Sequence, residues 1–114
     1  MRMTFILKKY QLASGKIPFD DWLAEISPVF RARIHANLAR IEVGNWGNVK
    51  SIQGADAKDL YELRMFFGPG FRAYFGKDGS QLVMLLCGGN KNSQRKDISE
   101  AKRLWKEYIA RKGE

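Results

Sequence analysis

The sequence predicts an α+β domain in which helices pack on a mostly antiparallel sheet. Apolar positions recur every three or four residues in segments 28–41 and 98–109, which is the period of a helix with one buried face. Apolar positions alternate every second residue in segments 60–67 and 71–75, which is the period of a strand. Segment 82–87 is apolar throughout. The expected order is therefore strand, helix hairpin, meander of three or four strands, and helix.

The N-terminal half is expected to supply one strand and the helix hairpin. Residues 3–10 predict the first strand, and Asp20 is the predicted N-cap of a short helix. Ser27-Pro28 predicts the N-cap and first residue of a second helix, which the glycines and polar residues at 44–47 end. These two helices are expected to pack together against the sheet.

Three or four strands are expected after the hairpin, depending on whether the weak first one forms. A weak strand covers 49–53, and two alternating strands at 60–67 and 71–75 are joined by a turn at Gly68-Pro69-Gly70. The strand at 81–87 is apolar on both faces, so we expect it to be central in the sheet.

The alternation also predicts a register for the first of these hairpins. A three-residue turn that sets Phe67 opposite Phe71 lets both apolar sets face one core. The same register places Arg64 opposite Tyr74, with Arg72 on the same face. We therefore expect these three polar side chains to share the face away from the core.

A polar, glycine-led and cationic loop at 88–97 is expected to connect the central strand to the last helix. Such a loop can offer backbone N–H groups and cationic side chains to a phosphate. It is not a Walker loop, because it lacks the required spacing of glycines and lysine. The helix is predicted to begin at about residue 97, with Asp97 as N-cap and Glu100 three residues later. Its expected buried stripe is Ile98, Ala101, Leu104, Trp105, Tyr108 and Ile109.

The totals favour a basic protein with an anionic partner. The 114 residues suit one domain spanning 1–114, and 20 Lys and Arg against 12 Asp and Glu give a net charge of +8. That excess favours RNA, DNA or an acidic protein as partner. With Cys87 the only cysteine and His35 the only histidine, neither a disulfide nor a zinc site is expected, and no metal or other cofactor is predicted. No signal peptide or membrane span is expected, so the predicted location is the cytoplasm.

The strongest candidate for chemistry is a set of cations around the strand ends. Guanidinium and ammonium groups can bind the oxygens of a phosphodiester and stabilise the additional negative charge of its transition state. Phe66 and Tyr74 could stack unpaired bases. The competing interpretation is a solvated sheet face whose arginines pair with Glu62 and its neighbours. The candidate set is Arg64, Arg72, Tyr74, Lys91, Arg95 and Lys96.

General acids and bases are scarce in this pattern. His35 is expected to be a surface or half-buried structural residue, and Tyr108 is expected to pack in the helix stripe. Crowded lysines with lowered pKa values could share proton transfer.

Several segments in this order resemble the RelE/ParE toxin superfamily, and the closest branch is the phage-derived, HigB-like addiction module killer proteins. The likeness covers nearly the whole chain. The segments that carry it are Pro18 to Leu23, Glu62-Leu63-Arg64, Phe71 to Phe75, Leu85 to Gln94, Asp97-Ile98 and Ala101 to Trp105.

The resemblance implies a RelE-like fold, a cognate antitoxin of the helix-turn-helix type, and cleavage of mRNA on the ribosome. In such toxins the RNA 2′-hydroxyl is the nucleophile and no metal is needed. The match places Arg64, Arg72 and Lys91 at the catalytic positions. Independently of the match, we expect contacts with the RNA from Phe66, Tyr74, Gln94, Arg95 and Lys96. This chain has Asn90 where relatives often have Asp, and Ser93 where Thr is frequent.

Two other functions stay open at this point. ParE-like members of the superfamily poison DNA gyrase by binding, without nuclease chemistry. A catalytically silent relative or a nucleic-acid-binding module is the third interpretation. The Glu62-Leu63-Arg64 and Phe71-Arg72 segments together with the lysine-rich loop favour the nuclease.

Overall fold

The structure, a computed structural model, describes residues 4–113 and has the expected α+β architecture. Its elements in chain order are β1 (Ile6–Lys9), α1 (Pro18–Ala24), α2 (Pro28–Glu42), β2 (Val49–Ser51), β3 (Leu60–Arg64), β4 (Phe71–Asp78), β5 (Leu82–Asn90), a 3₁₀ turn (Lys91–Ser93) and α3 (Gln94–Lys112). The first strand is shorter than the predicted 3–10, of which residue 3 lies outside the described residues.

The five strands form one sheet in the order β1-β5-β4-β3-β2. The β1–β5 pair is parallel and the other three pairs are antiparallel, which confirms a mostly antiparallel sheet consistent with a RelE-like fold. The apolar strand β5 is interior as predicted, between β1 and β4, although β4 is the middle strand.

Both faces of the sheet carry a core. On one face, residues of α1 and α2 such as Phe19 and Ile34 pack on Leu63, Ala73 and Phe75. On the other face, α3 packs on a second cluster, which includes Leu60, Tyr74, Leu86, Leu104 and Trp105. The expectation of a single core with an open polar face is therefore wrong, because α3 covers much of the second face.

Two strand glycines let the helices approach the sheet closely. A Cβ at Gly76 would overlap the ring of Trp105 on α3, and a Cβ at Gly88 would overlap the ring of Trp22 on α1. Each indole thus lies directly on backbone. The indole N–H of Trp105 also donates to the carbonyl of Lys58 at 2.9 Å, which fixes α3 against the segment before β3.

The predicted register of the β3–β4 hairpin is wrong by two residues. Arg64 pairs with Arg72 and Glu62 pairs with Tyr74, so Arg64 is not opposite Tyr74. The connection spans residues 65–70 and is therefore longer than a three-residue turn. Within it, Gly68 and Gly70 adopt positive φ angles of 57° and 77°. A shift of two residues preserves the alternation, so every side chain still lies on the predicted face.

Two of the three helix starts differ from the prediction: the N-cap lies three residues earlier in α1 and four residues earlier in α3. Helix α1 begins at Pro18 with Ile17 as N-cap, so Asp20 lies in the first turn rather than at the cap. Helix α2 begins at Pro28 with Ser27 as N-cap, as predicted. Helix α3 begins at Gln94, and Asp97 lies in its first turn.

Local hydrogen bonds explain the early start of α3. The side chain of Asn90 accepts from the backbone N–H of Asn92 at 2.8 Å, and the hydroxyl of Ser93 accepts from the N–H of Asn90 at 3.2 Å. These bonds form a capping box around the 3₁₀ turn, which runs directly into α3. The buried stripe of α3 is as predicted except at Ile109, which is 42% exposed.

Candidate functional site

The two predicted catalytic arginines lie side by side where β3 and β4 meet the start of α3. Arg64 ends β3 and pairs across the hairpin with Arg72 near the start of β4. Directly opposed residues in antiparallel strands place their side chains on the same face a few ångströms apart. Two guanidinium groups so close repel each other unless an anion lies between them.

Glu62 supplies that anion. Its Oε1 accepts from Arg64 Nε at 2.6 Å and from Arg72 Nη1 at 3.3 Å. Its Oε2 accepts from Gln94 Nε2 at 2.8 Å. Three donors from two strands and a helix thus converge on one carboxylate, whose side chain is only 3% exposed.

Glu62 stays ionised despite this burial. Removal from water by itself favours the neutral acid, but the hydrogen bonds from Arg64 and Gln94 and the charge of Arg72 outweigh it. The pKa of Glu62 is therefore held below its usual range. The cluster carries one net positive charge at neutral pH, since one carboxylate faces two guanidinium groups.

The two arginines differ in their access to solvent. The side chain of Arg64 is 33% exposed, whereas that of Arg72 is 11% exposed. The Nε of Arg72 is buried and has no hydrogen-bond partner among residues 4–113. Arg64 is therefore accessible to a ligand from solvent, whereas Arg72 is largely covered.

Tyr74 lies in the second core and is fully buried, so its ring offers no open face for the base stacking expected of it. Its hydroxyl also has no hydrogen-bond partner among the described residues. Burial, together with the negative charges of Glu62 and Asp97, raises the pKa of Tyr74 far above its usual value. Tyr74 is accordingly a poor proton donor in this structure.

Most of the other residues predicted to contact RNA are exposed, and one is hydrogen-bonded within the protein. Phe66 is 78% exposed in the β3–β4 connection, two residues beyond Arg64. Lys91, Arg95 and Lys96 are exposed in the 3₁₀ turn and first turn of α3. Gln94, in contrast, uses its amide N–H to hold Glu62.

The expected glycine-led phosphate cradle at 88–97 is not formed. Gly88 and Gly89 belong to β5, and the space beside them is occupied by Trp22 and by the carboxylate of Asp97. That carboxylate accepts a 2.5 Å hydrogen bond from the hydroxyl of Ser93. This segment therefore exposes the side chains of Lys91, Arg95 and Lys96 and does not form an open backbone loop around its glycines.

Within residues 4–113, His35, Cys87 and Tyr108 form no hydrogen bond with either arginine of the pair. His35 is exposed on α2, on the opposite face of the sheet. The thiol of Cys87 is buried, and burial raises its pKa well above the usual value. The hydroxyl of Tyr108 donates to Asp78 at 2.6 Å, and burial followed by this bond raises its pKa to about 12.

From the sequence, Glu62 is expected only as an ion-pair partner of arginines on a solvated sheet face. That pairing is present, but the carboxylate is buried and shared by both arginines. The alternation of β3 predicts the sheet face on which Glu62 lies but not how deeply the side chain is buried. The burial arises because α3 covers this face, with Gln94 bound to the carboxylate. Within residues 4–113, no group of three or more His, Cys, Asp and Glu side chains is placed to hold a metal ion. No helix in the same range is long and apolar enough to cross a membrane.

Comparison with known proteins now identifies the family. Residues 21–106 match the model of the family described as phage derived protein Gp49-like (DUF891). The chain belongs to this Gp49-like family. It is a RelE/HigB-type toxin family, and membership implies a cognate antitoxin as partner.

A protein of Haemophilus influenzae (strain ATCC 51907 / DSM 11121 / KW20 / Rd), described as uncharacterized, is 39% identical to this Gp49-like chain over 92 residues. The aligned region covers 80% of this chain and 89% of that protein. The family match spans the whole arginine cluster, from Glu62 to Gln94, together with most of α3.

Proposed function

We propose that this Gp49-like chain is the toxin of a toxin–antitoxin pair and acts as a metal-independent endoribonuclease on mRNA bound to the ribosome. The observation that carries the proposal is the pair of opposed arginines, Arg64 and Arg72, anchored on the buried Glu62. A fixed cationic pair of this kind suits a phosphodiester, because guanidinium groups donate two parallel hydrogen bonds to phosphate oxygens.

In the proposed reaction the RNA 2′-oxygen forms a bond to the adjacent phosphorus while the bond from phosphorus to the 5′-oxygen breaks. The 2′-hydroxyl gives up its proton, and the departing 5′-oxygen takes up a proton. The products are a 2′,3′-cyclic phosphate and a 5′-hydroxyl. Arg64 contacts the phosphate oxygens, Arg72 adds positive charge from below, and Lys91 is the third catalytic cation of the proposal. Their charge lowers the barrier by stabilising the extra negative charge of the transition state.

The exposed side chains around the pair would hold the RNA. Phe66 is 78% exposed and offers a ring on which a base can stack. Arg95 and Lys96 are exposed at the start of α3 and can contact neighbouring phosphates. Gln94 contributes by fixing Glu62.

The proposed partner that neutralises the toxin is an antitoxin of the helix-turn-helix type, and the proposed place of action is the cytoplasm, where mRNA is translated. The family supports an antitoxin in general. Its helix-turn-helix character rests on the resemblance described above.

A second function is favoured by one observation. Neither Tyr74 nor Tyr108 is free to donate a proton, because Tyr74 is fully buried and the hydroxyl of the half-buried Tyr108 already donates to Asp78. The raised pKa values of both hydroxyls agree with this geometry. A cationic surface without a proton donor at hand suits a ParE-like toxin that inhibits DNA gyrase by binding alone. In that case the arginine pair would dock against an acidic or DNA-bearing surface.

Brief induction of wild type and of Arg64→Ala, with primer extension on a translated reporter mRNA, tests the proposal. Arg40→Ala is the matched control, since Arg40 is an exposed arginine of α2 on the other face of the sheet. We expect discrete cuts in the reporter with wild type and with Arg40→Ala, and none with Arg64→Ala. Growth arrest with intact mRNA and gyrase-dependent DNA breaks would reject the nuclease in favour of the second function.

A further inference from the structure

Helix α3 has an uneven charge distribution along its two exposed sides. One side carries Arg95, Lys102 and Lys106, spaced so that all three lie in one row, and no acidic residue of the helix shares that row. On the other side, Arg103 forms ion pairs with both Glu100 and Glu107. The first side is therefore strongly cationic, whereas the second is largely neutralised.

The cationic side of α3 is directed towards strands β3 and β2. Lys102 Nζ contacts Asp56 Oδ1 at 3.1 Å, which places this side against the segment that leads into β3. Below it, Lys50 of β2 pairs in register with Glu62 and so lies on the same face of the sheet as Arg64. Because α3 runs from Gln94 beside Glu62 towards Trp105 beside Lys58, the row begins at the arginine pair and leads away from it.

A cleft of about 640 Å³ lies at the far end of this row. Its apolar lining comes from Ala55, Trp105 and Ile109, and its cationic lining comes from Lys58, Lys102, Arg103 and Lys106. Its volume falls in the range of pockets that bind small molecules, and a single nucleotide fits within that range.

Two acids also line the cleft, Asp56 and Asp59. The hydrogen bond from Lys102 lowers the pKa of Asp56, so Asp56 is ionised and largely neutralises Lys102. Lys50, Lys58, Arg95 and Lys106 are exposed, and none of the four forms an ion pair with another described residue. These four cations, with the cleft between α3 and residues 55–59, define a surface that we call the α3 trough.

We propose that the α3 trough binds the backbone of single-stranded RNA as it leaves the arginine pair, and that the cleft at its end takes one nucleotide. This inference rests on the proposed function and extends it to a second binding site. From Arg95 to Lys106 the row spans roughly 17 Å at 1.5 Å per residue, which is long enough to meet several successive phosphates. Single-stranded nucleic acid binds to surfaces of this kind, which combine a cationic groove with apolar contacts for bases.

Single-stranded RNA suits the trough better than an acidic protein segment does. The row of cations begins at Arg95, directly after Gln94, whose side chain binds the same carboxylate as Arg64. A line of cations that starts beside the arginine pair suits a backbone with regularly spaced charges. An acidic segment with an apolar anchor is the other candidate occupant, and the experiment below separates the two.

Fluorescence anisotropy with fully 2′-O-methylated RNA measures binding without cleavage, because this RNA lacks the nucleophilic hydroxyl. Oligomers of 4 and 12 nucleotides are compared with wild type, Lys58→Gln and Lys106→Gln. Lys8→Gln is the matched control, since Lys8 is an exposed lysine of β1 at the opposite end of the sheet. Lys106→Arg tests whether the charge alone restores binding.

We expect Lys58→Gln and Lys106→Gln each to weaken binding of the 12-mer by about fivefold at low salt and to reduce the salt slope by about 0.7, as the loss of one phosphate contact requires. Binding of the 4-mer, which fills the arginine pair alone, should be unchanged. Lys8→Gln and Lys106→Arg should bind both oligomers like wild type.

The two proposals fail in different ways. If Lys58→Gln and Lys106→Gln bind the 12-mer like wild type while Arg64→Ala still abolishes mRNA cleavage, the trough is wrong and the nuclease stands. If the variants lose 12-mer affinity but wild type cleaves no mRNA, the trough stands and the nuclease is wrong. Unchanged RNA binding together with weakened binding of the cognate antitoxin would assign the trough to an acidic protein and overturn this inference.

Discussion

The contact between Glu62 and Arg72 should be worth far more than an ion pair of the same residue types at the surface. Glu62 is 3% exposed and Arg72 is 11% exposed, so neither group can turn to water when its partner is removed. Removing one member of a buried pair costs about 3–5 kcal/mol in proteins. Glu62→Gln retains one acceptor oxygen, and the 33% exposed Arg64 can be rehydrated. We therefore expect a loss of about 2–3 kcal/mol in the free energy of unfolding, which is at or just below the lower limit of that range.

A double-mutant cycle isolates the contact itself. Arg72→Met leaves Glu62 with its bonds from Arg64 and Gln94, so it should cost about 1–2 kcal/mol. The double variant should lose less than the sum of the two single variants, which gives a coupling energy of about 1–2 kcal/mol.

The control cycle uses Glu100→Gln and Arg103→Met on the exposed face of α3. These side chains are 42% and 55% exposed and also form a Glu–Arg pair, so their coupling should not exceed about 0.5 kcal/mol. Urea unfolding followed by far-UV circular dichroism measures all the variants. A coupling at Glu62–Arg72 no larger than that at Glu100–Arg103 would refute the claim that Glu62 anchors the arginines.

Three further perturbations test other parts of the structure. Gly76→Ala should lower the free energy of unfolding by about 1–3 kcal/mol, because the added Cβ would overlap the Trp105 indole that packs on Gly76. Gly47→Ala is the control, since its Cβ would make only ordinary contacts. Equal stability of the two variants would contradict the close packing of α3. The stability advantage of wild type over Glu62→Gln should be full above about pH 5 and should shrink as the pH falls below the unfolded-state pKa of about 4.3. The reason is that the pKa of Glu62 is lower in the folded state than in the unfolded state. An advantage that grows in acid would mean that folding raises the pKa of Glu62. Phe66→Ala should change the free energy of unfolding by no more than about 0.5 kcal/mol and should weaken RNA binding by about 1–3 kcal/mol. Val29→Ala, which also alters an exposed apolar side chain, is the control and should change neither quantity. A loss of stability in Phe66→Ala would show that Phe66 is a packing residue.

The sequence was sufficient to predict the order of elements and the face on which each strand residue lies. Alternation in β3 and β4 has a period of two, so it assigns faces correctly even when the register is wrong by two residues. The register depends on the path of residues 65–70, where Gly68 and Gly70 adopt positive φ. Glycine permits that conformation without specifying it, so the opposition of Arg64 and Arg72 could not be derived from the pattern.

The burial of the site also could not be predicted from the sequence pattern. Polar residues such as Glu62 on an alternating strand are usually solvated, and here α3 covers that face and buries the carboxylate. The start of α3 depends on side-chain bonds of Asn90 and Ser93, which compete with the capping signal of Asp97. Tyr74 was placed on the correct face, yet the same helix removes it from contact with any base.

The most direct test of the central claim is single-turnover cleavage of a defined mRNA by purified protein, with and without programmed ribosomes. The account predicts that wild type cuts the ribosome-bound mRNA to a 2′,3′-cyclic phosphate and a 5′-hydroxyl in the presence of a metal chelator, and that Arg64→Ala slows the cut by at least about a hundredfold. An uncut mRNA with wild type, or an undiminished rate in Arg64→Ala, would contradict the assignment of Arg64 and Arg72 to the scissile phosphate.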